Sequence, residues 1–198
     1  MRRRAGEYEW RGAMNKIPTV FERDPQNMSR VLPDVTPGCA WVLVGGGVPT
    51  QKRDGTNVRV TVQYGKIIAL EKRRNPSRGQ KAAGVEPGYV EANRGDPSDQ
   101  HLFAAADATD VSGWPSGGMS CEALGPKIQG GVESPVPSLY PFLFQPVVLE
   151  WPVGVAVTFE TIRGWLQIHG MEGIVWHHPD GSMAKIKRRD FGFTWPLR

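Results

Sequence analysis

The stretch Val58-Arg59-Val60-Thr61-Val62-Gln63-Tyr64 constrains the fold more than any other, because apolar and polar side chains alternate along it without a break. Successive side chains on a strand point to opposite faces, so this period describes a half-buried strand with one face on a core. The chain then turns at Gly65-Lys66 into Ile67 to Glu71, which reads as the second arm of a hairpin. Seventeen prolines and 24 glycines impose many turns and leave room for modest helix only, while seven tryptophans supply material for a packed interior. The expectation is an α+β fold, and 198 residues suit one domain with its own core.

Immediately before that strand lies Gln51-Lys52-Arg53-Asp54-Gly55-Thr56-Asn57, a basic, turn-forming heptapeptide. Lys52 is its best candidate for covalent chemistry. A lysine amine is protonated in water, with a reference pKa of about 10.4, so attack on phosphorus needs a field that favours the neutral form. Neighbouring cations supply that field. Gly55 lets backbone approach a ligand with no Cβ in the way, and Asp54 and Asn57 offer polar groups to orient the lysine and a ribose. Lys52 is expected on a loop tied to a sheet edge. Taken alone, a Lys-x-Asp-Gly sequence is also a common charged turn.

A formal charge of +4 is compatible with a polyanionic partner without establishing one. Cys39 and Cys121 match neither a metal-ligand spacing nor a disulfide framework, which fits a reduced compartment. No apolar run approaches a membrane span, and Met1-Arg2-Arg3-Arg4 lacks the apolar segment of a signal peptide. A soluble, cytoplasmic protein is expected, with no membrane partner. Residues 1–15, with Arg2, Arg3, Arg4 and Arg11 around Trp10, read as a basic arm, either frayed or in contact with nucleic-acid phosphates; residues 16–198 read as the domain.

Along that domain, Lys16 to Phe21 is a short extended entry and Ala40 to Val44 a compact apolar strand. Gly45-Gly46-Gly47 looks like a phosphate loop but lacks the Gly-Lys-Ser/Thr that should follow. Lys72-Arg73-Arg74 forms a basic cluster at a strand end, a solvated turn or a phosphate contact. Residues 77–95 are polar and Gly-rich and read as a loop, and Asp96-Pro97 as a helix start before the Leu102 to Ala106 run. Glu122 closes a short apolar strand before the Gly125-Pro126 break, where a carboxylate can accept from a ribose or help hold a metal. From Leu139 to Leu149 a strand interrupted by Pro146 would set Phe142 and Phe144 on one face. Thr158 caps an amphipathic helix carrying Phe159, Ile162, Trp165 and Leu166, with Gly170 as its stop.

The last stretch reads as a strand from Glu172 to Trp176, a turn at Pro179-Asp180-Gly181, and a return strand from Met183 to Lys187. A two- or four-residue loop would put Glu172, Ile174, Lys185 and Lys187 on one face; a three-residue loop would put Glu172 on the other. Two lysines together on a sheet face repel unless they meet water or an anion, so a phosphate site and a solvated face are both open. His177 and His178 read as surface residues beside the turn.

In order, these segments resemble the nucleotidyltransferase motifs of covalent ligases and capping enzymes. Lys52-Arg53-Asp54-Gly55 resembles their adenylated-lysine motif, and with Thr56-Asn57 it is similar to RNA ligases of the phage RNA-editing-ligase type. Lys72-Arg73 resembles the motif whose arginine contacts nucleotide and 5′-phosphate. Glu122-Ala123-Leu124-Gly125-Pro126-Lys127-Ile128-Gln129 is similar to the ribose-binding glutamate motif, and Phe144 falls where the adenine-stacking aromatic lies. Glu172-Gly173-Ile174-Val175 resembles the metal-binding glutamate motif, and Lys185-Ile186-Lys187 the paired-lysine motif. The closest resemblance is to the vertebrate 5′-to-3′ RNA ligase family, through residues 16–21, 49–56 and the run from Glu172 to Pro196. Two positions depart from the wider pattern: Gln51 stands where glutamate is expected, and Asn57 replaces the arginine of DNA ligases and capping enzymes.

The resemblance implies a nucleotidyltransferase (adenylation) domain of two antiparallel β-sheets with flanking helices, ATP in the cleft between them, and no C-terminal oligonucleotide-binding barrel. It implies catalytic roles for Lys52, Lys185 and Lys187, whose two companions would depress the pKa of Lys52. It implies nucleotide contacts from Asp54, Gly55, Asn57, Arg73, Glu122, Phe144, Glu172, Lys185 and Lys187, and Mg2+ or Mn2+ held by Glu172. The partner would be RNA with 5′-phosphate and 3′-hydroxyl ends, with no obligate protein partner. A GTP-using capping-type transferase and a non-catalytic RNA-binding module are the alternatives.

Overall fold

The computed structural model describes residues 16–197, so the arm expected at residues 1–15 lies outside the described residues. In chain order the elements are β1 (Phe21–Asp24), β2 (Asn27–Val35), α1 (Ala40–Leu43), β3 (Val48–Lys52), β4 (Thr56–Gln63), β5 (Lys66–Arg74), α2 (Arg78–Ala82), β6 (Gly88–Glu91), α3 (Gln100–Asp107), β7 (Gly117–Leu124), β8 (Ser138–Tyr140), α4 (Phe159–Ile168), β9 (Gly173–His177) and β10 (Met183–Lys187). The class is α+β, with few helices and antiparallel pairing within each sheet. Three sheets are present among the described residues where two were expected, the additional one being the β1-β2 ribbon. The chain divides into two compact units, residues 54–145 and residues 16–53 with 146–197.

The first unit is a five-stranded sheet in the order β6-β5-β4-β7-β8. Alternation along β4 sends Val58, Val60 and Val62 to one face, where they pack with Leu70, Cys121 and Ala123 against Leu102 and Ala105 of α3. Each such aliphatic side chain, wholly withdrawn from water, contributes about 2 kcal/mol. The intervening residues Asn57, Arg59, Glu71, Arg73, Ser120 and Glu122 leave the opposite face polar. The hairpin turns at Tyr64-Gly65, one residue earlier than expected, because both take positive φ (49° and 69°), the conformation of the two-residue turn that matches strand twist.

Other parts of this unit correct the sequence reading. Residues 77–95 are not one loop: Ser77 and Gln80 form a reciprocal capping box that starts α2, and β6 then pairs with β5. Helix α3 begins at Gln100 rather than at Asp96-Pro97. Phe142 and Phe144 do not share a strand face. Pro141 follows β8 directly, and its carbonyl accepts from the amides of Phe144 and Gln145, so the chain turns there. Phe142 is buried beside Leu124 and Tyr140, whereas Phe144 is 39% exposed near Trp114.

The second unit is the three-stranded sheet β10-β9-β3 with the β1-β2 ribbon, α1 and α4. Thr158 accepts from the Thr161 amide and starts α4 as expected, burying Ile162, Trp165 and Leu166 against Ile174, Trp176 and Ile186. The helix stops at Ile168, two residues before Gly170. Its last carbonyls are collected by the buried Arg188 guanidinium, which donates to Leu166, to Gln167 at 3.3 Å and to His169 at 3.1 Å. Residues 40–44 are not a strand; Ala40–Leu43 is a single helical turn with Val42 buried. A four-residue apolar run carries too little period to separate the two. Gly46 and Gly47 serve packing, since a Cβ on either would meet Trp41 at 2.7 Å and 2.6 Å respectively.

Candidate functional site

The charged centre of the second unit follows from strand register. In β9-β10 the partners are His177 with Met183, Val175 with Lys185 and Gly173 with Lys187, leaving an odd loop of residues 178–182. Opposed residues therefore share parity, which corrects the expectation that Ile174 faces with the lysines: Ile174 pairs with Ile186, and both are wholly buried in the core. Strand β3 adds Lys52 opposite Gly173 and Thr50 opposite Val175. Cross-strand partners project from the same face, so Lys52, Gly173 and Lys187 lie abreast, with Thr50, Val175 and Lys185 in the next row. Lys52 is thus the last residue of an edge strand, not a loop residue.

Glu172 sits in the bend just before β9 and is 3% exposed. Its carbonyl accepts from the Arg188 amide at 2.7 Å. Its carboxylate joins the two flanking ammonium groups, with Oε2 2.5 Å from Lys52 Nζ and Oε1 2.6 Å from Lys187 Nζ. Gly173 has to be glycine for this: a Cβ there would collide with the Ile186 carbonyl and lie 3.0 Å from Lys187 Cα. Lys185, in the neighbouring row, has no ion-pair partner among the described residues. Burial, then the positive charges of Lys187, Lys52 and Lys16, push its pKa down to about 8 against the opposing pull of Glu172. Three ammonium groups served by one carboxylate leave a surplus of positive charge on a partly buried face, and an anion is the natural complement.

His177 is half-buried on that same face, not a surface residue. Its Nε2 lies 3.1 Å from Thr50 Oγ1, and because the Thr50 hydroxyl donates to the Val175 carbonyl at 2.9 Å, Nε2 must be the donor. Burial lowers the His177 pKa, which keeps the ring neutral. His178 lies on the other side of the strand end, 2.8 Å from Asp180 and against the Trp41 ring.

The remaining predicted residues belong to the first unit. The Asp54 amide donates to Glu133 Oε1 at 3.0 Å. A Cβ on Gly55 would lie 2.5 Å from the Ala123 carbonyl and 3.0 Å from Glu122 Cβ, so the loop can reach β7 only as glycine. Asn57 pairs with Glu122 across β4-β7, and Arg73 pairs with Tyr89 across β5-β6. Lys72 and Arg73 do not act as one cluster. Alternation turns Lys72 to the opposite face, where its ammonium lies 2.6 Å from the buried Asp99. Tyr89, Ser120, Arg59 and Glu71 complete the polar face, and of these Tyr89 had no signal beyond a single Tyr-Val pair between Gly88 and Glu91.

For a metal, the donor set is one carboxylate. No group of three His, Cys, Asp or Glu side chains that could hold an ion occurs among the described residues. Magnesium is commonly held by one or two carboxylates with substrate phosphates completing its shell, so Glu172 fits as a single protein ligand beside bound phosphate. Among the described residues no helix is long and apolar enough to cross a membrane.

The second unit thus carries a row of two ammonium groups bridged by one carboxylate, and the first unit carries a polar sheet face. The RNA ligase 1 family matches residues 134–198, which carry Glu172, Lys185 and Lys187 but not Lys52, Arg73 or Glu122. No curated protein matches the chain.

Proposed function

We propose that the chain is an ATP-dependent RNA ligase that joins a 5′-phosphate to a 3′-hydroxyl through a lysyl-AMP intermediate. The observation that carries the reading is the row Lys52, Gly173, Lys187 with the Glu172 carboxylate across it, and the family match over the last third of the chain supports it.

Lys52 Nζ, having given one proton to solvent, forms a bond to the α-phosphorus while the bond to the bridging oxygen breaks and pyrophosphate leaves, and the nitrogen then gives its second proton to solvent to leave the phosphoramidate N–H. Lys185 and Lys187 stabilise the charge that collects on the non-bridging oxygens. A bound Mg2+ or Mn2+, with Glu172 as its protein ligand, would neutralise phosphate charge and orient the leaving group. Glu172 holds the Lys52 and Lys187 ammonium groups, one on each carboxylate oxygen, so a cation taken by this carboxylate would free an ammonium and thereby couple nucleotide binding to release of Lys52. AMP then passes to the RNA 5′-phosphate, and the 3′-hydroxyl displaces it to seal the strand. Glu122 and Asn57 are assigned to the ribose, Arg73 to the phosphate end, Phe144 to the adenine, and Asp54 and Gly55 to the loop beside the nucleotide.

Supply of a pre-adenylated RNA tests this directly. The Lys52→Ala variant should fail to join 5′-phosphate RNA in the presence of ATP, yet should join 5′-adenylated RNA without ATP. Equal joining of 5′-phosphate RNA by the variant and the parent chain would refute the assignment of Lys52, and a requirement for GTP in place of ATP would refute the assignment of the nucleotide.

A further inference from the structure

The polar face of the five-stranded sheet contains a closed ring of hydrogen bonds. The Tyr89 hydroxyl donates to Asn57 Oδ1 at 2.7 Å and lies 3.0 Å from Ser120 Oγ; Asn57 Nδ2 donates to Ser120 Oγ at 3.3 Å and to the Cys121 carbonyl at 3.3 Å. Tyr89 has one proton, and it is spent on Asn57. The Ser120 hydroxyl must therefore donate to Tyr89, so each of the three groups donates once and accepts once around the ring. Reversing the ring would turn Asn57 Oδ1 toward the Cys121 carbonyl, acceptor against acceptor. That carbonyl fixes the direction.

The consequence is chemical. An asparagine free to flip can offer either NH2 or oxygen to a ligand. Here both N–H bonds are spent on β7, and the oxygen, which accepts from a single donor among the described residues, keeps a lone pair. Asn57 thus enters the face as an acceptor, beside its cross-strand partner Glu122, a second acceptor. The platform that holds Tyr89 is built for the purpose: Arg59 lies over its ring, 4.7 Å from the centroid, and is itself clamped by both oxygens of Glu71 at 2.6 Å. Burial raises the Tyr89 pKa, so the hydroxyl remains a donor.

We propose that Tyr89, with Ser120, is a specificity-determining positioning residue that presents Asn57 as a hydrogen-bond acceptor, so that Asn57 and Glu122 together read the two hydroxyls of a ribose. The inference rests on the nucleotide site described above, and it assigns that site a preference for ribonucleoside over deoxyribonucleoside triphosphates.

The test separates binding from adduct formation. In the Lys52→Ala background, which binds without reacting, calorimetry compares ATP with 2′-deoxy-ATP and 3′-deoxy-ATP; in the parent chain, intact mass reports the AMP adduct. Tyr89→Phe, which keeps the ring under Arg59, should reduce the preference for ATP by about tenfold, and Ser120→Ala should act in the same direction from the other strand. Neither should change the preference further once Asn57→Ala is present. Ribose preference that Tyr89→Phe and Ser120→Ala leave intact, or an undiminished effect of Tyr89→Phe on Asn57→Ala, would overturn the inference while leaving the ligase reading standing. Ribose-selective, Tyr89-dependent binding with no adduct would support the inference and overturn the ligase reading. No nucleotide binding at all would overturn both.

Discussion

Glu172 is the residue on which the charged row depends, since its carboxylate is the counter-charge for two ammonium groups at once. Glu172→Gln should abolish adduct formation and destabilise the fold by about 2 kcal/mol, less than for a fully buried pair because both lysines reach water; urea unfolding measures it. Lys185 behaves in the opposite sense. Its folded pKa, about 8, lies below the unfolded value of about 10.4, so the unfolded chain binds more protons between those two pH values and stability rises with pH there. The penalty on its ammonium is fully present below pH 8. Lys185→Met should therefore raise Tm at pH 7, with the difference from the parent vanishing by about pH 10, although the variant should bind triphosphate poorly. Because Lys187, Lys52, Lys16 and Glu172 are the charged groups acting on it, binding of α,β-methylene-ATP should weaken as pH rises through about 8, and proton uptake should accompany binding there.

At the scale of elements, long periodic segments were legible and short ones were not. The β4 alternation and the Thr158-capped α4 helix could be read directly, since each repeats its period over several residues and carries a start signal. Helix α1 and strand β6 span four residues each, too few for a period to show. The lysines could be placed on one face from their i, i+2 spacing alone, but the partner set turned on the parity of a loop length, and the odd loop moved Ile174 into the core. Lys52 became a strand residue for a reason no local pattern carries: it pairs with Gly173, 121 positions away in the chain. Two substitutions test these elements. Gly173→Ala should displace β9 from β10, lower stability by about 2 kcal/mol and abolish adduct formation, because the new methyl meets the Ile186 carbonyl. Thr158→Ala should cost about 1 kcal/mol and leave adduct formation intact, since α4 packs on the core face of the sheet that carries the lysines on its other side.

Across the whole chain, the candidate residues are distributed between two compact units, each with its own core: Lys52, Lys185 and Lys187 on a three-stranded sheet with Glu172 in the bend that leads into it, Asn57, Arg73 and Glu122 on a five-stranded one. The motif Lys52-Arg53-Asp54-Gly55 is where the chain passes from one to the other. Its lysine belongs to the three-stranded sheet and its glycine packs on the five-stranded one, which is why a heptapeptide that reads as an isolated charged turn has so many distant partners. With a formal charge of +4, RNA affinity should fall steeply with added salt, in proportion to the phosphates contacted; a flat response in filter binding would contradict RNA as the partner. The most direct test of the central claim is intact-protein mass after incubation with ATP and magnesium, run beside Lys52→Ala. One AMP adduct is expected on the parent chain and none on the variant. A folded parent chain that takes no adduct, or a variant that takes it equally, would contradict it.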